Sequence, residues 1–443
     1  MVEEKISFKR TLTTKDLLVY GIIFMIPVAP LAFYGSFLVP ANGMVALAYL
    51  VGGIAMLFTG FSYAAMAKRY PYSGSVYNYV QRGAHPNLGF IAGWGITLDY
   101  LLIPSITYII SAQFGHELLP AIPIWLWVII IATFNTIVNY LGIDYVSKIS
   151  WLLFFLQLIV LVLFFVLTIR ELAVGNVQPH VISLYNPKHF NFSGVLQATG
   201  IVIVSYLGFD AISTLSEEAI TPQKSVGKAI IFSIIGIGSL FIITTVLAGF
   251  IVPNYQSLNP DTAFSGILYK VGGHPLVYFA DIVIVLSFGF AGGQEGQTSV
   301  SRILYSMGRD GILPNFLSKL HKKFKTPFIA ILLVGLISLI ISLTFSVDVV
   351  SNLLSFGALF GFMTLNLTVI WHLFIQNPNK NFINIIYYLL SPFIGFSVSL
   401  WIFSSLDMSA KIVGGLWLLV GFAILAFKTK FFTIRAPQYD LEL

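Results

Sequence analysis

Apolar residues in this chain run in long unbroken stretches and do not alternate with polar ones at strand or surface-helix spacing. Twelve such stretches can be counted, near 17–39, 44–67, 86–116, 122–142, 149–170, 192–216, 227–252, 275–301, 326–345, 347–374, 383–404 and 411–428. Each holds about 20 residues, enough for a helix to cross a hydrocarbon core ~30 Å thick. The pattern predicts an all-α integral membrane protein with twelve transmembrane helices. Two of the stretches are damaged. The first carries Pro27 and Pro30 between Gly21 and Gly35, and the sixth is interrupted by Gly208, with Asp210 just beyond it. A spanning helix must satisfy its backbone polar groups internally, so a break at membrane depth survives only where it lines a cavity or is buried in protein. Paired breaks, five helices apart, predict an inverted-repeat secondary transporter whose site lies where the broken helices meet.

On this reading helices 1–5, within residues 1–170, and helices 6–10, within 192–374, are copies in opposite topology. Helices 11 and 12 follow in 383–428, and 1–443 forms one domain. The repeat rests on the placement of the breaks, since the halves show no visible sequence similarity. The longest polar stretches are 171–191 and 253–274 on one side and 302–325 on the other. The last sets Phe316, Leu317 and Leu320 among Lys319, Lys322 and Lys323. It reads either as a short amphipathic surface helix or as a solvated basic loop.

Composition agrees with a membrane protein. The chain is 57% hydrophobic and 9% charged, with mean hydropathy +0.88, against about 25% charged residues in soluble domains. The N-terminus is short and basic (Lys5, Lys9, Arg10, Lys15), and Leu17 opens a run long enough to span, not a cleavable signal. Cysteine is absent, which excludes disulfides and thiolate metal sites. With both termini in the cytoplasm, twenty of the 24 Lys and Arg fall on the inner side; only Arg170, Lys188, Lys270 and Lys411 fall outside. That is the positive-inside pattern of a multi-pass cell-membrane protein. The pI near 9.2 therefore reports orientation first and weak contact with anionic lipid second, not nucleic-acid binding.

Four local motifs carry a resemblance. They are the segment from Arg69 through Pro71, Ser73, Gly74, Ser75 and Tyr77 to Tyr79; Gly93-Trp94 followed by Leu98-Asp99-Tyr100; Gly208-Phe209-Asp210 leading through Ser213, Glu217 and Glu218 to Pro222 and Lys224; and Ser301-Arg302 through Tyr305 and Gly308 to Arg309-Asp310-Gly311. In this order they resemble the amino acid–polyamine–organocation permeases over nearly the whole chain. The Leu98-Asp99-Tyr100 triplet, Met25-Ile26-Pro27 and the tail Pro437-Gln438-Tyr439 are most similar to the putrescine importer group. The resemblance implies a LeuT-type five-plus-five inverted repeat. It also implies amino acid or amine substrates, usually driven by protons or sodium. Two positions depart from the pattern. Importers of the group commonly place an acidic residue in the first helix, where this chain has Leu31-Ala32-Phe33-Tyr34-Gly35. Many permeases have a cation-mimicking lysine in the fifth helix, where this chain has Gln157.

Backbone groups freed at Met25, Ile26, Pro27, Val28 and Ala29 suit both ends of an α-amino acid, since half-helix N-termini favour a carboxylate and C-termini an ammonium. In the second break Gly208 permits close approach, Phe209 suits an apolar lid, and Tyr206 one turn earlier suits a wall. Asp210 either caps the following half-helix or touches substrate. Ionisable residues inside the membrane are functional candidates, which singles out Asp99, beside Tyr100, and Glu295 as counter-ions or proton carriers. Thr298 and Ser299 offer hydroxyls of the kind a sodium site uses, although such hydroxyls routinely bond backbone carbonyls. Glu217, Glu218, Arg302 and Arg309 are either latches of an inner gate or solvated interfacial charges. The seven histidines are scattered, no metal-ligand spacing or cofactor motif occurs, and no catalytic cluster gathers at one interface as a membrane enzyme needs. A polyamine importer or an amino acid/amine exchanger is the alternative within transporters, and a channel or sensor built on the same fold is the alternative to a transporter. Without a helix-1 carboxylate the chain favours a zwitterion or monoamine, unless Asp99 and Glu295 together serve a diamine.

Overall fold

The computed structural model describes residues 10–258 and 263–434, with 143–150 as backbone only. Lys5, Lys9, Arg435, the 437–439 tail and the Lys148 side chain lie outside the described residues. Within them the chain is helical. The first apolar run forms α1 (Thr14–Phe24) and α2 (Ala29–Leu38), which meet at a 42° bend. Then come α3 (Val45–Arg69), the short α4 (Ser75–Gly83), α5 (Pro86–Leu118), α6 (Ile124–Leu141) and α7 (Ile143–Val174). The second half opens with α8 (Phe192–Tyr206) and the 3-10 stretch Asp210–Glu218. It continues with α9 (Pro222–Ile251), α10 (Ala263–Leu286), α11 (Gly293–Arg309), α12 (Phe328–Thr344) and α13 (Val347–Val369). Two outer helices, α14 (Phe382–Ser405) and α15 (Met408–Lys428), close the chain.

Among the described residues ten helices are long and apolar enough to cross a membrane, or eleven if the bent pair α1–α2 counts as one span. α5 is buried along its whole apolar stretch, whereas α14 and α15 are mostly exposed, as expected for a central post and two lipid-facing helices. Lipid tails are as apolar as leucine, so packing and small residues hold such a bundle together. Gly357 of α13 shows this: a Cβ there would meet the backbone N of Asp99 at 2.7 Å, so the missing side chain lets α13 reach α5. α15 is fixed to α5 by a reciprocal clasp. The Trp94 and Trp417 rings stack at 4.5 Å, and each indole N–H donates to the other's carbonyl at 2.8 Å.

Between α10 and α11 the chain makes a π-helical turn, Ser287–Gly292, a deviation often found at functional sites. Segment 302–325 forms no long surface helix. Its first residues end α11, and Asn315–Ser318 is one 3-10 turn with Leu317 buried.

Candidate functional site

Two helices stop in mid-bundle, and they stop against each other. α1 ends at Phe24 because Pro27 supplies no N–H and Ile26 stands at φ +49°, a conformation a β-branched residue adopts only under constraint. Pro30 then falls in the first turn of α2, where its lack of an N–H costs nothing. α8 ends at Tyr206; Leu207 is extended and Gly208 has φ +121°. A Cβ on Gly208 would run into the Phe24 ring. The last residue of α1 thus packs into the space left by the glycine of the second break.

The break in the first run is internally tied. The Ala29 N–H donates to the Ile26 carbonyl at 2.7 Å and the Leu31 N–H to Val28 at 2.9 Å. The Val28 N–H donates to Oε1 of Gln157 on α7 at 3.4 Å. Gln157 is fully buried and its Nε2 has no hydrogen-bond partner among the described residues.

Beside the breaks lies a cavity of about 40 Å³, room for a few water molecules at most. From the first break come Phe24, Met25, Ile26, Ala29 and Phe33. α5 contributes Ile103, Ile106 and Thr107, and the end of α8 contributes Val204, Ser205 and Leu207. Phe288 of the π turn and Leu354 of α13 complete the wall. The only polar side chains are two hydroxyls, both engaged: Thr107 donates to the Pro104 carbonyl at 2.9 Å, and Ser205 pairs with the Tyr49 hydroxyl at 3.0 Å. Two half-helix C-termini, of α1 and α8, and one N-terminus, of α2, border the space. The helix dipoles therefore present both signs of partial charge to it.

Of the residues singled out from sequence, Met25, Ile26 and Ala29 line this cavity. Asp99, Tyr100, Tyr206, Gly208, Phe209, Asp210 and Glu295 do not. The Tyr206 hydroxyl donates to the Tyr49 carbonyl at 2.8 Å, and its ring packs on Phe241. Phe209 is buried between Tyr63 and Phe362 with ring centroids near 5.5 Å, so it braces the second break and does not cover the cavity. The Asp210 carboxylate accepts the Gly208 N–H at 3.3 Å and the Tyr100 hydroxyl, capping the unwound turn. Asp99 is 1% exposed, and among the described residues neither carboxylate oxygen has a hydrogen-bond donor. The charge it meets is that of Asp210.

Glu295 is buried near the start of α11, within electrostatic reach of Tyr20. The Tyr20 hydroxyl also meets the Ser299 hydroxyl at 3.3 Å. Thr298 points elsewhere: it donates to Asn139 of α6 at 2.9 Å. The structure therefore does not bring Thr298 and Ser299 to one point. Among the charges assigned to an inner gate, Glu218 and Arg302 pair at 2.6 Å. Glu217 instead accepts the Ser73 N–H at 3.2 Å, and Arg309 lies 3.8 Å from Asp310. Burial pushes the Asp310 carboxyl above the usual carboxylate range, against the opposing effect of the Tyr77 hydroxyl. The Glu218 end is further tied by the N-terminal segment, whose Thr11 and Leu12 N–H groups donate to the Glu218 carbonyl at 2.9 and 3.0 Å.

Sequence reasoning missed the other ten lining residues: Phe24, Phe33, Ile103, Ile106, Thr107, Val204, Ser205, Leu207, Phe288 and Leu354. Ile103 and Ile106 follow Asp99 at helical spacing (i+4, i+7), and that was their one available signal. Isolated leucines and phenylalanines in an apolar run carry none.

A family model described as amino acid permease matches residues 17–436. The chain is 30% identical to the low-affinity putrescine importer PlaP of Escherichia coli (strain K12), covering 98% of this chain and 97% of PlaP. It is 29% identical to the branched-chain amino acid permease BcaP of Bacillus subtilis (strain 168), covering 82% of this chain and 81% of BcaP. Among solved structures, MhsT in complex with L-phenylalanine superposes with TM-score 0.60 at 15% identity, covering 88% of this chain and 98% of MhsT.

Proposed function

We propose that this chain, which belongs to the amino acid permease family, moves an amino acid or small amine across the cell membrane by alternating access around the cavity beside the two breaks. The chain is a secondary transporter and not an enzyme; its relatives are importers and permeases. The observation that carries the site is the packing of Phe24 against Gly208, which joins the ends of two interrupted helices at one place.

The bent pair counts as one span and Phe328–Thr344 as another, giving twelve spans. Residues 1–170 and 192–374 are the two inverted repeats of a LeuT-type fold, and 383–428 carries the last two helices. Both termini lie in the cytoplasm, as the distribution of Lys and Arg supports. The breaks at Met25–Ala29 and Leu207–Gly208 bind substrate through backbone groups, supported from behind by Gln157, Tyr206, Phe209 and Asp210. The Glu218–Arg302 pair latches the inner end.

The coupling ion is a proton. The hydroxyls of Thr298 and Ser299 diverge, which argues against a sodium site between them. Asp99 is buried with no hydrogen-bond donor to its carboxylate among the described residues, whereas Asp210 is held by Tyr100 and Gly208, so Asp99 suits the uptake and release of one proton. Glu295 then tunes the helix around Tyr20.

Purified protein in proteoliposomes, given an inward proton gradient, should accumulate labelled L-leucine or putrescine above its outside concentration. A sodium gradient at equal pH should not drive accumulation. Simple equilibration with no dependence on either gradient would make the chain a channel on this fold, and binding without any uptake would make it a sensor.

A further inference from the structure

We infer that the site selects α-amino acids with apolar side chains and rejects diamines, with Ile103, Ile106, Phe288 and Leu354 setting the side-chain preference. The inference rests on the transporter reading and narrows its substrate class.

Charge complementarity at the cavity is one-sided. Everything able to meet a charge sits at the breaks: the carbonyl ends of α1 and α8 for an ammonium, and the dipole of α2 for a carboxylate. The opposite wall, from α5, the π turn and α13, is aliphatic and aromatic apart from the Thr107 hydroxyl. The edge of Phe33 meets Phe288 with centroids 5.8 Å apart, so even the aromatic rings there are already packed together. The two hydroxyls in the lining carry no charge, and the Thr107 proton is already given to the Pro104 carbonyl while Ser205 pairs with Tyr49. The buried carboxylates Asp99, Asp210 and Glu295 lie outside the lining, and Tyr100 and Gly208 already bond to Asp210.

An α-amino acid fits this asymmetry. Its two charged groups are borne by one carbon atom, so both can be met at the breaks while the side chain faces the apolar wall. A diamine carries its charges at opposite ends. With one ammonium at the helix ends, the other would face Leu354 and Phe288 with no partner, and a buried unpaired charge is costly. The same reasoning disfavours lysine and glutamate. An apolar monoamine lacks a group for the α2 end, and an apolar acid lacks one for the carbonyl ends.

The test is competition against uptake of labelled L-leucine by the full-length protein in proteoliposomes, with thermal shift of detergent-solubilised protein as a second readout. The panel is L-leucine, L-valine, L-lysine, L-glutamate, putrescine, 3-methylbutylamine and 4-methylpentanoate. L-Leucine and L-valine should compete and stabilise, with putrescine, lysine and glutamate weaker by at least about a hundredfold, a difference set by one unpaired charge. The monoamine and the acid should fall between. Leu354→Asp should raise the affinity for putrescine and lower that for leucine. Putrescine, lysine or 3-methylbutylamine matching leucine in wild type would overturn the selectivity while leaving the transporter reading intact. If no compound of the panel is transported or stabilises the protein, the transporter reading fails and the selectivity with it.

Discussion

Gly208→Val should abolish uptake while the protein still inserts and folds. Gly208 has φ +121°, where a residue with a Cβ is strained by about 1–3 kcal/mol and a β-branched one most of all. The new Cβ would also occupy the place of the Phe24 ring, pushing the end of α1 away from the second break. The two effects fall on one contact, and that contact sets the shape of the cavity. At about 1.4 kcal/mol per factor of ten, even the strain alone should lower the uptake rate by an order of magnitude. Gly236→Val is the control. It makes the same change in the same half of the chain, where a Cβ meets nothing within 4 Å, and should transport normally. Normal uptake by Gly208→Val would show that the two breaks need not touch.

Asp99→Asn should remove proton-driven accumulation and leave exchange of substrate across the membrane intact. Asp99 is buried on the central helix, its oxygens have no donors, and its electrostatic neighbour is Asp210. The other titratable groups around it are hydroxyls: Tyr100 on its own helix and Tyr63 on α3. α13 offers it the backbone at Gly357. An asparagine keeps the shape but can neither take up nor release a proton. Asp210→Asn should lose accumulation too, and should also destabilise the protein. It gives up charge-assisted hydrogen bonds from Tyr100 and Gly208, each about 1.5–3 kcal/mol. Glu295→Gln should keep its dependence on the proton gradient. The check is uptake and counterflow of each variant at several outside pH values. If Glu295→Gln alone loses the gradient dependence, the coupling proton sits on α11 and the pair is structural.

The membrane class of the chain was plain in its sequence because a spanning helix needs a long apolar run, and nothing else in a sequence looks like one. The breaks were plain for a similar reason, since Pro27, Pro30 and Gly208 are the residues that backbone chemistry singles out. Which way side chains point was not legible. Asp99 and Ile103 lie on one helix four residues apart, yet Ile103 lines the cavity and Asp99 does not. Asp99 packs against Gly357 of α13 and Ile103 against Gly296 of α11, a division of neighbours that an apolar run does not encode. Phe209 was misplaced for the same reason: its break was visible, but the Tyr63 and Phe362 rings that hold it come from distant helices. Gln157 could be placed only through the resemblance, while its bond to the Val28 N–H gives it a physical role in holding the first break open.

The account stands or falls on whether substrate sits where α1 and α8 stop. The chain has no cysteine, so Met25→Cys places a single thiol in the cavity wall, at a residue 2% exposed in this closed arrangement. Its modification by a small membrane-impermeant methanethiosulfonate reagent can be followed in oriented proteoliposomes. The reagent should react slowly from either side, and L-leucine should protect the thiol with a half-effect concentration equal to the KM of uptake. A variant that still transports leucine but whose thiol is modified at the same rate with and without it would place the substrate elsewhere and contradict the account.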